Sequence, residues 1–159
     1  MKISVIFPGQ GSQYVGMAKD FYDSFPSSKK LFDKLDNTLN RHLSKIIFSG
    51  TEDNLSITTN SQPSIMTASI VMYNIIIEKG LLCKKSINSV ALHSLGEYSA
   101  LVANDSLSFE SAVQLLDVRS RAMQESMPIG TGGMVAIIGK SLDEIEEILP
   151  KLENHGKIF

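Results

Sequence analysis

An apolar run that ends in a serine, with glycine two residues on and a helix behind it, leaves few ways to fold. Val90-Ala91-Leu92-His93-Ser94-Leu95-Gly96-Glu97-Tyr98 is such a run. The residues up to Leu92 read as a strand, and Glu97, Tyr98, Ala100, Leu101 and Val102 read as a helix. A strand that turns this sharply into a helix presents the serine hydroxyl at the bend, the arrangement called a nucleophile elbow. The usual pattern is Gly-x-Ser-x-Gly, and Leu92 stands where the first glycine would be. Ser94 also reads, more plainly, as the N-cap of the following helix.

The remaining sequence supplies the layers such a strand needs. The chain has 159 residues, enough for one domain with a real core. Hydrophobic residues make up 43% and charged residues 20%, the proportions of an ordinary globular protein. Lys and Arg number 15 against 17 Asp and Glu, so no general affinity for nucleic acid or acidic membrane is expected. Cys83 is the single cysteine and reads as a small buried hydrophobe after a helix. Neither a signal peptide nor a membrane span is visible, so a cytoplasmic setting is expected.

Ile3 to Phe7 reads as a buried strand, stopped by the loop Pro8-Gly9-Gln10-Gly11-Ser12. A helical stretch begins over Met17 to Tyr22, and Pro26 interrupts it. Ser27 or Ser28 is placed to cap a second helix through Leu31, Phe32 and Leu35. Asn40 to Asn60 is polar and reads as irregular, with Gly50 as a break. A deeply buried helix is predicted from near Pro63 to Lys79, stopped by Gly80. Ser89 to Leu92 is the second strand, and a helix follows from Ser108 to Glu125. A third strand is predicted over Met134 to Ile138, and a last helix from Ser141 to Leu149 with Glu144 completing a capping box. The order is that of an α/β protein.

Two further places carry chemistry. Gly9-Gln10-Gly11 follows strand one, where a glycine lets backbone N–H groups approach a ligand closely. The loop is either a tight turn or a donor of the Gln10 N–H toward the bend at Ser94. Arg119 lies mid-helix among apolar neighbours. A solvated arginine, or one paired with Asp117 or Glu125, is one reading. A planar fork reserved for a substrate carboxylate is the other. Arg121 is expected to face solvent.

Together these stretches resemble the malonyl-CoA:acyl-carrier-protein transacylases. They are Phe7-Pro8-Gly9-Gln10-Gly11-Ser12-Gln13 with Gly16-Met17, Gln62-Pro63 with Thr67-Ala68-Ser69, His93 to Val102, Arg119 with Met123-Gln124, and Pro128 to Gly139. The resemblance implies a hydrolase-like parallel-sheet core with a nucleophile elbow over residues 1–130. It also implies the start of a ferredoxin-like subdomain over 131–159. Ser94 would be the nucleophile that takes malonate from malonyl-CoA and passes it to the phosphopantetheine thiol of acyl carrier protein, in fatty acid biosynthesis. The N–H groups of Gln10 and Leu95 would form the oxyanion hole, with Gln10 also touching substrate. Arg119 would hold the malonyl carboxylate. His93 and Gly96 would support the elbow. No metal, no cofactor beyond the coenzyme A thioester, and no nucleic-acid or membrane partner is implied.

Two departures qualify the resemblance. Leucine at position 92 adds bulk where overpacking costs about 1–3 kcal/mol and would widen the bend. The resemblance also covers only the N-terminal half of the family pattern, so the chain reads as truncated: a fragment, a shortened product or half of a split protein. The catalytic histidine of the family is absent from this sequence, and neither His42 nor His155 matches it. A serine esterase or thioesterase, and a remnant without catalysis, are the alternative readings.

Overall fold

A strand that is β-branched and apolar needs a partner, and Ile3–Phe7 (β1) finds it in Ile87–Leu92 (β2). The computed structural model describes residues 2–128, 130–132 and 137–152. The two strands pair in parallel, with Val5 beside Val90 and Phe7 beside Leu92. Val5 and Val90 turn toward the core, while Ser4 and Ser89 share a hydroxyl hydrogen bond of 2.7 Å on the other face. Ile6, on that second face, is 74% exposed.

Between the strands the chain is helical: Lys19–Ser24 (α1), Pro26–Leu39 (α2), Leu43–Ser49 (α3), Glu52–Ser56 (α4) and Thr58–Glu78 (α5). Gly96–Ala103 (α6) and Phe109–Ser126 (α7) follow β2, and Leu142–Glu146 (α8) and Leu149–Leu152 (α9) lie near the end. The fold class is α/β with a small parallel sheet and mostly helices. Residues Met1–Ser126 form one compact unit and Met127–Phe159 another. The buried core lies in the first and is built from Phe32, Leu35, Leu43, Ile47, Leu55, Met66, Val71, Leu95, Val113 and Leu116.

Several boundaries differ from the sequence expectation, each for a physical reason. The first helix runs over Lys19–Ser24, two residues later than its predicted start. Pro26 does not interrupt the chain but starts α2 at its first position, where the missing N–H costs nothing. Ser27 and Ser28 therefore sit inside the first turn and do not cap it; Ser27 Oγ donates instead to Glu78 at 2.8 Å. The stretch expected to be irregular holds α3 and α4, because Leu43, Ile47 and Leu55 are fully buried against α5. Thr51 caps α4 by accepting from the Asn54 N–H at 3.2 Å. Helix α5 begins at Thr58, so Pro63 lies within it. Gly80 does end α5, at φ 69°, with Leu81 donating back to the Ile76 carbonyl at 3.1 Å.

Leu92 does not overpack: its side chain is 45% exposed. Cys83 is exposed rather than buried. Most of the predicted third strand, Met134 to Ile138, falls on residues 133–136, outside those described, and Ile137 and Ile138 carry no regular structure. The final helix has the expected capping box at Ser141 and Glu144 but ends at Glu146, and a turn separates it from α9. No described helix is long and apolar enough to cross a membrane.

Candidate active site

The bend after β2 is held by backbone packing. The His93 N–H donates to the Phe7 carbonyl at 3.3 Å and so extends the sheet contact one residue past Leu92. Ser94 then takes φ 54°, a left-handed conformation that a non-glycine residue holds only under constraint. The Gly96 N–H bonds the His93 carbonyl at 2.9 Å, the Glu97 N–H bonds the Ser94 carbonyl at 3.2 Å, and α6 is under way. Leu95 is fully buried and anchors the start of α6, while Ser94 stays exposed.

Glycine is required at two contacts here. A Cβ on Gly96 would lie 2.7 Å from the Phe7 carbonyl oxygen and 3.0 Å from that of Pro8. A Cβ on Gly9 would lie 2.3 Å from His93 Nδ1 and 2.9 Å from the His93 carbonyl oxygen. The loop after β1 therefore sits directly on the bend, with the His93 ring against Gly9. That loop is fixed by Ser12 Oγ donating to the Gly9 carbonyl (2.9 Å), by the Gly11 N–H donating to Gln13 Oε1 (2.8 Å) and by the Gly16 N–H donating to the Ile47 carbonyl (2.7 Å). Among the described residues, the backbone N–H groups of Gln10 and Leu95 have no acceptor.

Arg119 reaches the serine from α7. Its Nη2 donates to Ser94 Oγ at 3.1 Å and its Nη1 to Gln62 Oε1 at 2.6 Å. Among the described residues, no carboxylate lies within ion-pair distance of it. Asp117 pairs with Arg121 at 2.9 Å, and the Arg121 side chain is 62% exposed. Arg119 is thus a half-buried cation whose charge has only neutral partners, beside a serine hydroxyl. Such a fork suits an anion with two oxygens.

Gln62, which the sequence offers only as part of a stretch resembling the family and with no role, is a further member of this site. It is fully buried and donates through Nε2 to Met123 Sδ at 3.2 Å. Its signal is weak: one polar side chain before Pro63 in an apolar helix. His42 precedes α3 and lies 3.6 Å from Asp36; its side chain is 89% exposed. His155 lies outside the described residues. No group of three or more metal-ligating side chains occurs among the described residues.

Arg41 ties the end of α2 to the start of α5. Asn40 ends α2 in a left-handed conformation, φ 51°, and sends the following residue across to α5. Arg41 Nη2 donates to the Thr59 carbonyl at 2.7 Å, and its Nη1 donates to Asn60 Oδ1. Burial pulls the Arg41 guanidinium below its ordinary pKa; Asp117 and Asp36 oppose that and Arg121 adds to it.

Comparison with known proteins relates the chain to a family. The model of the acyl transferase domain family matches residues 5–153. The malonyl CoA-acyl carrier protein transacylase of Bacillus subtilis (strain 168) is 41% identical over 157 residues, covering 99% of this chain and 48% of that protein. The crystal structure of the acyl-carrier-protein S-malonyltransferase from Bartonella henselae superimposes with a TM-score of 0.86 at 39% identity, over 98% of this chain and 50% of that one. A type II polyketide acyl carrier protein in complex with its malonyl-transacylase gives a TM-score of 0.84 at 34% identity, over 99% of this chain and 50% of that one. The chain spans about half the length of the curated relatives it matches.

Proposed function

The chain belongs to the acyl transferase domain family, and from that premise we propose that Ser94 carries malonate from malonyl-CoA to the phosphopantetheine thiol of an acyl carrier protein. The observation that carries this reading is the contact of Arg119 with Ser94 Oγ while, among the described residues, no carboxylate lies within ion-pair distance of the guanidinium. A malonyl ester on Ser94 would bring its free carboxylate to that cation. An acetyl ester would leave the charge unanswered, which is costly for a half-buried arginine.

The chemistry runs in two balanced steps. Ser94 Oγ attacks the thioester carbonyl carbon, a C–O bond forms, the C–S bond breaks, and coenzyme A leaves as the thiol with the proton that serine gave up. The carrier thiol then attacks the ester carbonyl, its C–S bond forms, the C–O bond breaks, and the proton returns to Ser94. In both steps the oxygen that gains charge is met by the N–H groups of Gln10 and Leu95. Their lack of an acceptor among the described residues, and the seat of the Gln10 loop on the bend, support that role. The base that moves the proton is the family histidine, which the resemblance places in the half outside this sequence; its help is worth about 10²–10⁴ in rate. The thioester supplies its own activation, so no cofactor is needed.

In the same reading, the strand, left-handed serine and helix form the nucleophile elbow of a hydrolase-like core. Residues 131–159 open a ferredoxin-like subdomain. The parallel pairing of β1 and β2 and the boundary at Ser126 support these assignments.

Intact-mass labelling tests the proposal. Malonyl-CoA is expected to leave a malonyl adduct that disappears in Ser94→Ala. Arg119→Ala is expected to lower malonyl labelling about tenfold or more, the worth of one charge-assisted contact, and not to lower acetyl labelling. A folded sample that takes no malonyl group overturns the reading.

A further inference from the structure

Pro63 creates a gap in the helix that carries Gln62. A residue within an α-helix donates its N–H to the carbonyl four residues back, and proline has none to give. Pro63 lies in the second turn of α5, so the Thr59 carbonyl loses its helical partner. The guanidinium of Arg41 fills that place: Nη2 donates to Thr59 O at 2.7 Å. The other arm of the same fork donates to Asn60 Oδ1. Asn60, 5% exposed, passes the tie on through its Nδ2 to the Asn54 carbonyl at 2.8 Å. The first turn of α5 is therefore held from outside the helix, and Gln62 stands at its end. Gln62 in turn fixes Arg119 at 2.6 Å, and Arg119 touches Ser94.

We propose that Arg41 is a positioning residue for the carboxylate clamp: it replaces the hydrogen bond that Pro63 cannot make, and so sets where Gln62 holds the Arg119 guanidinium. The clamp's purpose rests on the malonyl-transfer reading, but the mechanical link from Arg41 to Arg119 does not. Fork geometry matters here, because an ammonium at position 41 has three donors on a freely rotating head, without the rigid planar fork that fixes the directions toward Thr59 and Asn60.

Proton–nitrogen correlation spectra of the whole chain report the link directly, through the side-chain amide of Gln62 and the Nε–H of Arg119. Arg41→Met is expected to shift both signals. Adding Pro63→Ala, which returns an N–H to the Thr59 carbonyl, is expected to bring both back toward their original positions. Should Arg41→Met fail to fold, Arg41→Lys is read the same way, with a smaller shift in the same direction. Gln62 and Arg119 signals that stay in place while the melting temperature falls would make Arg41 a structural residue only and overturn the proposal. So would shifts that Pro63→Ala leaves unrepaired. Malonyl labelling is the separate arm: Arg41→Met is expected to lower it about tenfold with acetyl labelling unchanged, in keeping with the steep cost of small misplacements. Wild-type protein that takes no malonyl group rejects the transfer reading and leaves the spectroscopic result standing.

Discussion

Two helix starts meet around Arg119, and they are held by opposite means. The start of α6 is fixed by main chain against main chain: Gly96 lies against the Phe7 carbonyl, Gly9 against His93, and the serine between them is forced to a positive φ. The start of α5 is fixed by polar side chains: Arg41, just beyond the end of α2, reaches in to it, and its own Asn60 reaches across to α4. The first arrangement has no slack, since carbonyl oxygens cannot rotate away. The second has several adjustable torsions. Ser94, the proposed nucleophile, thus sits on the rigid side, and Gln62, which holds the proposed carboxylate clamp Arg119, on the adjustable side.

That contrast is open to breaking, and the largest effect belongs to the rigid start. Gly96→Val places side-chain carbons inside contact distance of the Phe7 carbonyl, so β1 and α6 must part. A loss of about 3 kcal/mol in denaturant unfolding, with no Ser94 labelling, is expected. A stability near wild type would mean that the two elements slide freely, and the distinction would fall. Asn60→Ala comes next. It takes an acceptor from Arg41 and a donor from the Asn54 carbonyl, at about 1–3 kcal/mol. The bend at Ser94 should survive it, with its backbone amide signals unmoved. Leu92→Gly is the smallest. It restores the common elbow glycine at a position that is 45% exposed, so no crowding is relieved. A cost of about 0.5–1 kcal/mol from backbone freedom is expected. A gain in stability would show that leucine does strain the rigid start.

Much of this architecture is legible in the order of the amino acids. The two strands, α5, α6 and α7 follow from apolar periodicity over stretches long enough to carry a signal, and the bend at Ser94 follows from a strand running into glycine and helix. Helices α3 and α4 escape such a reading because each is too short to hold itself; Leu43, Ile47 and Leu55 make them helical only by being buried against α5. The contact between Arg119 and Ser94 spans 25 residues of sequence and can be suspected only through the resemblance. Periodicity alone leaves Asp117 and Glu125 as equal claimants on that arginine, and the structure gives Asp117 to Arg121. The roles of Gln62 and Arg41 are hidden by one misplaced boundary. With Pro63 at the start of a helix, no carbonyl lacks a donor. With Pro63 inside it, a donor has to be found.

The left-handed conformation of Ser94 bears on what selection would do to this position. Holding a serine at φ 54° costs about 1 kcal/mol or more that glycine would not incur. A library of this chain sorted only for folding should therefore drift toward glycine at position 94, while one sorted for acyl transfer should keep the hydroxyl. The residue that wins is a measure of whether stability or chemistry is governing the fold.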